Sequence, residues 1–405
     1  MTRGNHMNTR SRRIRRLVPV AVLPMITLAA CGGDDADEAA PITESADEPA
    51  AVEESADEPA DDEAAAVEEP STATCEVGQV DGDLYLYNWS EYIDPELKDA
   101  FAAEYGVEVI EDNYDSNEAM QPIVAAGNSG YDVIVPSDYM VSIMIDEGSL
   151  MPLNLDAIPN MSNLAAEFNP PPYDPDGAYV AAYQWGTTGL GVDLTVLGED
   201  TPRSWGLVFD PELSANFDGR ITLLNDPRET LGAALKYLGY SLNTTSADEL
   251  AEAKALVADA VDRIAAFDSD QYDELLATGE TAIAHGYSGN MVVGIDEAEN
   301  PDNYTYFVPE EGGTIWTDNM AIPFDAPHPC TAHTFMNFIL DAENGAQLSE
   351  WNYYGSPNEA SVPFMDPEFL ADETVYPSDR SKLEFITDTG DFETEFSDAL
   401  SEAKG

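Results

Sequence analysis

The chain has 405 residues, and its 16 Lys+Arg against 79 Asp+Glu leave a formal net charge of -63. That balance excludes nucleic acid as a partner, because a polyanion would be repelled and no Lys/Arg stripe is present to release counterions; cations are the fitting partners. With 43% hydrophobic residues, 5 Trp, 19 Tyr and 14 Phe, the chain can bury a large core, so most of the acidity serves the solvation of a folded body rather than a site.

Residues 1–30 carry Arg3, Arg10, Arg12, Arg13, Arg15 and Arg16, no acid, and then the apolar run Leu17 to Ala30. That run falls short of the roughly 20 helical residues needed to cross a bilayer, and it reads as a signal peptide. Its end, Leu28-Ala29-Ala30-Cys31-Gly32, resembles the lipobox of bacterial lipoproteins, which implies lipidation of Cys31. Gly32 to Thr72 lacks aromatic and basic residues, and Glu-Ser-Ala-Asp-Glu-Pro-Ala occurs at Glu44 to Ala50 and again at Glu54 to Ala60. Such a segment buries too little apolar surface to offset its chain entropy, and its like charges extend it, so 31–74 is expected to be a lipidated, disordered tether. Cys75 and Cys330 remain, in an exported context that permits a disulfide between them.

The body alternates strand and helix signals. Leu84 to Tyr87 is strand-like. Asp94-Pro95 then offers an N-cap with proline at the first helical position, Leu97, Phe101 and Tyr105 recur every four residues, and Gly106 supplies a stop. Val107 to Ile110 reads as a second strand, Ser116 as the cap of a helix to about Ala126, and Tyr131 to Val135 as a third strand. This order implies a parallel sheet with helical crossovers. Tyr179 to Asp193 suits a crossing strand or hinge. A second unit follows, with a strand at Arg220 to Leu224, a helix from Pro227 to about Leu238, a long helix over Ala247 to Ala266 and a short strand at Thr281 to Ala284. Ile315 to Pro323 could be the return crossing. The expected division is 79–190 plus about 315–360 in lobe 1, and about 191–314 plus 361–405 in lobe 2.

Ligands of open α/β sheets bind beyond the carboxyl ends of strands. Those positions hold Asn88-Trp89-Ser90-Glu91-Tyr92, Pro136-Ser137-Asp138-Tyr139, Asn225-Asp226-Pro227-Arg228-Glu229 and His285-Gly286-Tyr287-Ser288-Gly289, and the return crossing carries Trp316-Thr317-Asp318. Rings recur beside carboxylates and hydroxyls, which suits an organic cation with an apolar body. A carboxylate about 4 Å from an ammonium contributes on the order of 4 kcal/mol at an effective dielectric near 20, and an aromatic face adds roughly 0.5–2 kcal/mol. A linear polyamine fits. Each element has a plainer reading: Asp226 and Glu229 also form a capping box, and Trp89, Tyr92 and Tyr139 could be core rings. Gly286 to Asn290 misses the hydrolase elbow because Asn290 replaces its last glycine. His6, His285, His328 and His333 form no ligand set, so neither a metal nor a cofactor is expected.

The strings Tyr87 to Ile93, Tyr131 to Ser137, Asn225 to Glu229, Ile315 to Asp318 and Tyr354 to Asn358 together resemble the spermidine/putrescine-binding proteins of bacterial ABC importers, from about residue 82 to the C-terminus. The resemblance implies an α/β, two-lobed periplasmic-binding-protein fold of type II, each lobe a mainly parallel sheet flanked by helices and joined by crossing hinge strands. It also implies a receptor without catalytic activity that closes on a polyamine and delivers it to a membrane permease. Position by position, the cleft residues would be Trp89, Glu91, Tyr92, Ser137 and Tyr139 from lobe 1, Asp226, Glu229 and Tyr287 from lobe 2, and Trp316, Asp318 and Tyr354 near the crossings. Tyr287 stands where spermidine-binding members usually have Trp, and Ile386 where one has Gln, which leaves putrescine and spermidine both open. The expected protein is a monomer outside the cytoplasm, held to the membrane by its lipid alone. Two rivals remain: a ferric-ion receptor of the same fold built on Tyr353-Tyr354, and a secreted glycan hydrolase using a carboxylate pair.

Overall fold

The computed structural model describes residues 72–405; the leader, Cys31 and the tether through Ser71 lie outside the described residues. Helices of six residues or more are numbered below. β1 (Leu84–Trp89) leads to Asp94, whose carboxylate accepts from Glu96 N at 2.9 Å. Pro95 needs no hydrogen-bonded N–H at the first helical position, so α1 (Pro95–Tyr105) starts there, and it ends where Gly106 takes φ 71°, a left-handed cap that suits glycine. β2 (Val109–Tyr114) begins two residues later than the apolar run suggested and continues into polar residues. Ser116 Oγ accepts from Ala119 N at 3.2 Å to start α2 (Asn117–Ala125). β3 (Val133–Ile134) and α3 (Asp138–Asp146) follow. β1 pairs in parallel with both β2 and β3, as helical crossovers require.

β4 (Val180–Asp193) is buried along its whole length and makes the first crossing. Beyond it come β5 (Ile221–Leu223), α4 (Pro227–Leu238) and α5 (Ala247–Ala260). The expected long helix over 247–266 stops early: a 3-10 turn at Val261–Arg263 breaks it, and Ile264–Phe267 is β6, parallel to β5. α6 (Tyr272–Ala277), β7 (Ile283–Tyr287), α7 (Ser288–Glu297) and β8 (Tyr304–Phe307) complete this part. β9 (Gly313–Ala321) is the return crossing. β4 runs antiparallel to β9 over Val180–Thr187 and antiparallel to β7 over Thr188–Val192, so one continuous strand belongs to both lobes. α8 (Pro329–Ile339), α9 (Ala342–Asn352), β10 (Leu383–Glu384) and α10 (Glu393–Lys404) end the chain.

The strand order is β2-β1-β3-β9-β4-β7-β5-β6, with β8 on β4 and β10 on β9. One core gathers Leu84, Phe101, Val133 and Ile322 with Phe335 of α8 and Leu348 of α9. Another gathers Val192, Ile221, Leu235 and Val257 with Phe396 of α10. Two cores served by a shared pair of crossing strands make a two-lobed α/β molecule with room to hinge. Met365, Phe369 and Val375 pack with Ala346 of α9 in a small cluster of their own. Cys75 and Cys330 are bonded, with Cα atoms 5.3 Å apart and a sequence separation of 255, which ties the start of the body to α8.

Candidate functional site

The strand exits of both lobes meet in one cleft. It is lined by Trp89, Ser90, Tyr92, Tyr114, Asn117, Ser137, Asp138, Tyr139, Asp226, Glu229, Ser269, Asp270, Tyr272, Tyr287, Asn290, Trp316, Asp318, Tyr354 and Ile386, which border about 630 Å³ of unfilled space partly open to solvent. All the residues expected from the sequence are there except Glu91. Glu91 is exposed and takes φ 52° in the turn after β1, and its charge adds to the rise that burial causes in the carboxyl of Asp273.

The first-lobe wall is built by hydrogen bonds that fix the rings. Trp89 Nε1 donates to Val135 O at 2.9 Å, and Tyr114 Oη donates to the same carbonyl at 2.6 Å. Asn117 spans the gap to the next exit: its Nδ2 donates to Ser137 Oγ at 3.0 Å while its Oδ1 accepts from Ser137 N at 3.1 Å. Ser137 Oγ in turn donates to Asp318 Oδ1 at 2.7 Å, which joins α3 to the return crossing. Tyr139 Oη donates to Glu118 Oε1 at 2.7 Å. Asp138 accepts from its neighbour Tyr139 N at 2.8 Å and from Thr317 N at 3.1 Å.

On the facing wall, the capping-box reading of Asp226 and Glu229 is half right. Asp226 Oδ1 accepts from Glu229 N at 3.0 Å and so caps α4. Glu229 does not reach back. It accepts instead from Thr188 Oγ1 at 2.9 Å and Thr314 Oγ1 at 2.8 Å, one threonine on each crossing strand, and Trp316 Nε1 donates to that same Thr188 Oγ1 at 3.1 Å. Asp226 is therefore both cap and cleft acid, and Glu229 is anchored where the lobes hinge.

Rings close the box edge to face. Trp89 and Tyr287 lie with centroids 6.1 Å apart, Tyr287 and Trp316 at 5.8 Å, Trp316 and Tyr354 at 5.2 Å, and Tyr92 and Tyr354 at 5.1 Å. Tyr354 Oη donates to Asn290 Oδ1 at 2.7 Å. The Tyr287 hydroxyl is buried without a hydrogen-bond partner, and the Tyr92 hydroxyl lies close to Asp318 but outside good hydrogen-bond geometry. Several of these rings also belong to the first core, so the plainer core-ring reading and the cleft reading are both true of them.

Burial dominates the electrostatics. It pushes the carboxyls of Asp226, Glu229 and Asp318 up to about 7 and that of Asp138 up to about 8. Glu229 adds to the rise at Asp226, and the donors on Glu229 and Asp318 oppose it. Beside them, burial and then the charge of Asp226 take Glu118 to about 8. A positive charge placed beside these carboxyls would favour their ionised forms and oppose the rise that burial causes.

Sequence reasoning missed Ser269, Asp270 and Tyr272, which follow β6, because that strand was read as the tail of a helix. Tyr114 was missed for a related reason, since β2 runs four residues past its expected end. Ser90, Asp138 and Asn290 stood inside the strings already singled out, and Asn117 follows the cap at Ser116. The tyrosine pair of the iron alternative does not converge: Tyr354 lines the cleft, whereas Tyr353 takes φ 59° at the end of α9 and packs edge-on to Phe369 at 5.6 Å. Among the described residues there is no group of three or more His, Cys, Asp or Glu placed to hold a metal ion.

A family model for bacterial extracellular solute-binding proteins matches residues 96–376. A putrescine/cadaverine-binding protein of Pseudomonas aeruginosa is 36% identical over 313 residues, 75% of this chain and 88% of the relative. The spermidine/putrescine-binding periplasmic protein of Escherichia coli is 34% identical over 295 residues, 73% of this chain and 83% of the relative. Among solved structures, the TpPotD lipoprotein of Treponema pallidum superposes with a TM-score of 0.68 at 29% identity, covering 79% of this chain and 99% of that one.

Proposed function

The chain belongs to the bacterial extracellular solute-binding proteins, a family of receptors rather than enzymes, and from that premise we propose that its cleft captures a linear polyamine and hands it to an ABC importer. The observation that carries this reading is the convergence of Asp138, Asp226, Glu229 and Asp318 with the rings of Trp89, Tyr92, Tyr287, Trp316 and Tyr354 in one cleft between two cores. Carboxylates take the ammonium groups, rings cover the methylenes, and residues from both lobes must come together before all of them can act. The names of the relatives in Pseudomonas aeruginosa and Escherichia coli support the same ligand class. Calorimetric titration tests it: putrescine and spermidine are expected to bind and 1,4-butanediol, of equal length without charge, to give no heat. Equal binding of the diol would remove the electrostatic basis of the assignment.

The same reading includes an anchor. Lipidation of Cys31 would hold the receptor to the outer face of the cell membrane, with the acidic segment as spacer. Fractionation of cells expressing the full chain or its Cys31→Ala form checks this. The first is expected with the membrane and the second in the soluble fraction.

A further inference from the structure

Tyr287 ends β7 where α7 begins, and its backbone N–H donates to Tyr272 Oη at 3.3 Å. Its ring is held on three sides. Trp316 of the return crossing lies 5.8 Å away, Trp89 of the first lobe 6.1 Å and Tyr272 6.2 Å, all edge to face. A ring fixed in this way carries its hydroxyl to one place, and there the oxygen is buried with no hydrogen-bond partner. Leaving a buried hydroxyl unpaired costs free energy.

The neighbouring cleft oxygens are already engaged with the protein. Ser137 Oγ donates to Asp318 Oδ1, Glu229 N to Asp226 Oδ1, and Thr188 and Thr314 to the two oxygens of Glu229. Tyr114 Oη donates to Val135 O, and Tyr354 Oη donates to Asn290 Oδ1 and accepts from Asn290 N at 3.3 Å. Tyr92 Oη lies beside Asp318. The Tyr287 oxygen alone among these gives none of its capacity to the fold. Burial, and then charges including those of Asp226, Glu229 and Asp318, hold its ionisation well above the usual range. It therefore stays a neutral hydroxyl, with one proton to donate and two lone pairs to accept.

Resting on the polyamine reading of the cleft, we propose that the Tyr287 hydroxyl accepts a hydrogen bond from one end of the ligand and so makes the cleft selective for primary ammonium groups over N-alkylated ones. A primary ammonium presents three N–H donors from one nitrogen. The cleft carboxylates take donors along with the charge, and a further donor needs an oxygen set at another angle. Parting of the lobes draws Trp89 off Tyr287 and uncovers the hydroxyl, and closure on the ligand pairs it. A dimethylated nitrogen carries a single N–H, which a carboxylate uses, and its methyl groups leave the hydroxyl unpaired. The rings do not make this distinction, since an aromatic face attracts either cation.

Tyr287→Phe tests the proposal, because it deletes the oxygen and keeps the ring. Calorimetry on the full receptor compares putrescine with N,N,N′,N′-tetramethylputrescine, which has the same chain and the same charge. The native protein should bind putrescine the more tightly. The variant should lose about tenfold or more in putrescine affinity, the range for a hydrogen bond to a charged group, and little toward the methylated diamine. Without ligand it should melt no lower than the native protein, since the deleted hydroxyl has no partner to lose. Loss of affinity without loss of stability separates a ligand contact from a structural one. Equal weakening of both diamines, or an unchanged putrescine Kd, overturns the proposal and leaves a polyamine receptor intact. Failure of the native protein to bind putrescine or spermidine sinks the polyamine reading itself, and this inference with it.

Discussion

Asp318 in the cleft and Glu402 on the outer face of the last helix carry the same group in opposite surroundings. Asp318 is 5% exposed, and burial pushes its carboxyl up to about 7 even though Ser137 donates to it. Glu402 is held below its usual range by the Lys254 ammonium at 2.7 Å. The formal charge of -63 therefore contains two populations. Exterior acids stay ionised and keep the molecule hydrated, while the cleft acids sit near the balance point between protonated and charged. The proposed ligand recognition rests on the second population, which composition alone does not reveal.

Substitution separates the two most sharply. Asp318→Asn removes a carboxylate that a bound ammonium would need, and polyamine affinity should fall by about 2–5 kcal/mol, the range for losing one partner of a buried charge pair. Glu402→Gln should leave the Kd unchanged. Calorimetric titration of both variants decides the matter, and equal effects would mean that the net charge of the whole surface, rather than the cleft, attracts the ligand.

Acidity gives the next largest separation. Asp226, Glu229 and Asp318 are raised to about 7 in the folded protein, above an ordinary carboxyl, so the folded state binds more protons than the unfolded one. Their contribution to stability is fully present below about pH 4 and is lost as pH rises through 7. Binding runs the other way, since a cation must displace those protons. Putrescine affinity should rise about tenfold per pH unit for each proton released between pH 5 and 7, and then level off. Titrations in buffers of different ionisation enthalpy should show proton release at pH 6 and little at pH 8.5. A flat affinity across that window would show that the cleft carboxyls are already ionised before ligand arrives.

The same contrast explains what could be read from the amino acids and what could not. Caps, stops and crossings were legible because their causes are local: Asp94 with Pro95, the positive φ of Gly106, and the apolar continuity of β4 and β9. Most of the cleft followed from one rule, that strand exits hold the ligand groups. The rule failed where the strand itself went unseen, because Ile264 to Phe267 continues the apolar pattern of α5 and only the turn at Val261–Arg263 ends it. Tyr354 came from family likeness alone, since no strand precedes it. Arg228 looked like part of a helix cap, because its burial depends on α10, more than 150 residues later in the chain. Glu91 sits in the most recognisable string of all, yet its backbone turns left-handed and its side chain is exposed, outside the cleft lining.

Salt should produce the smallest effect on binding and a visible one on folding. Between residues 72 and 202 the sequence has one basic residue, Lys98, paired to Glu111, whereas the second core carries Arg228 with Glu393, Lys236 with Glu384 and Lys254 with Glu402. First-lobe surface acids consequently lack internal counter-ions and depend on dissolved ones. Raising NaCl from 0.1 to 1 M shortens the screening length from about 10 to about 3 Å, so the melting temperature of the ligand-free protein should climb, and hydrogen exchange should slow more in α1 and α2 than in α4 and α5. Ammonium–carboxylate contacts inside the cleft are shorter than that length, and the putrescine Kd should weaken by less than about tenfold over the same range. A Kd that collapses with salt while exchange stays uniform across both lobes would place the ligand on the outer surface and erase the distinction between the two populations of acids.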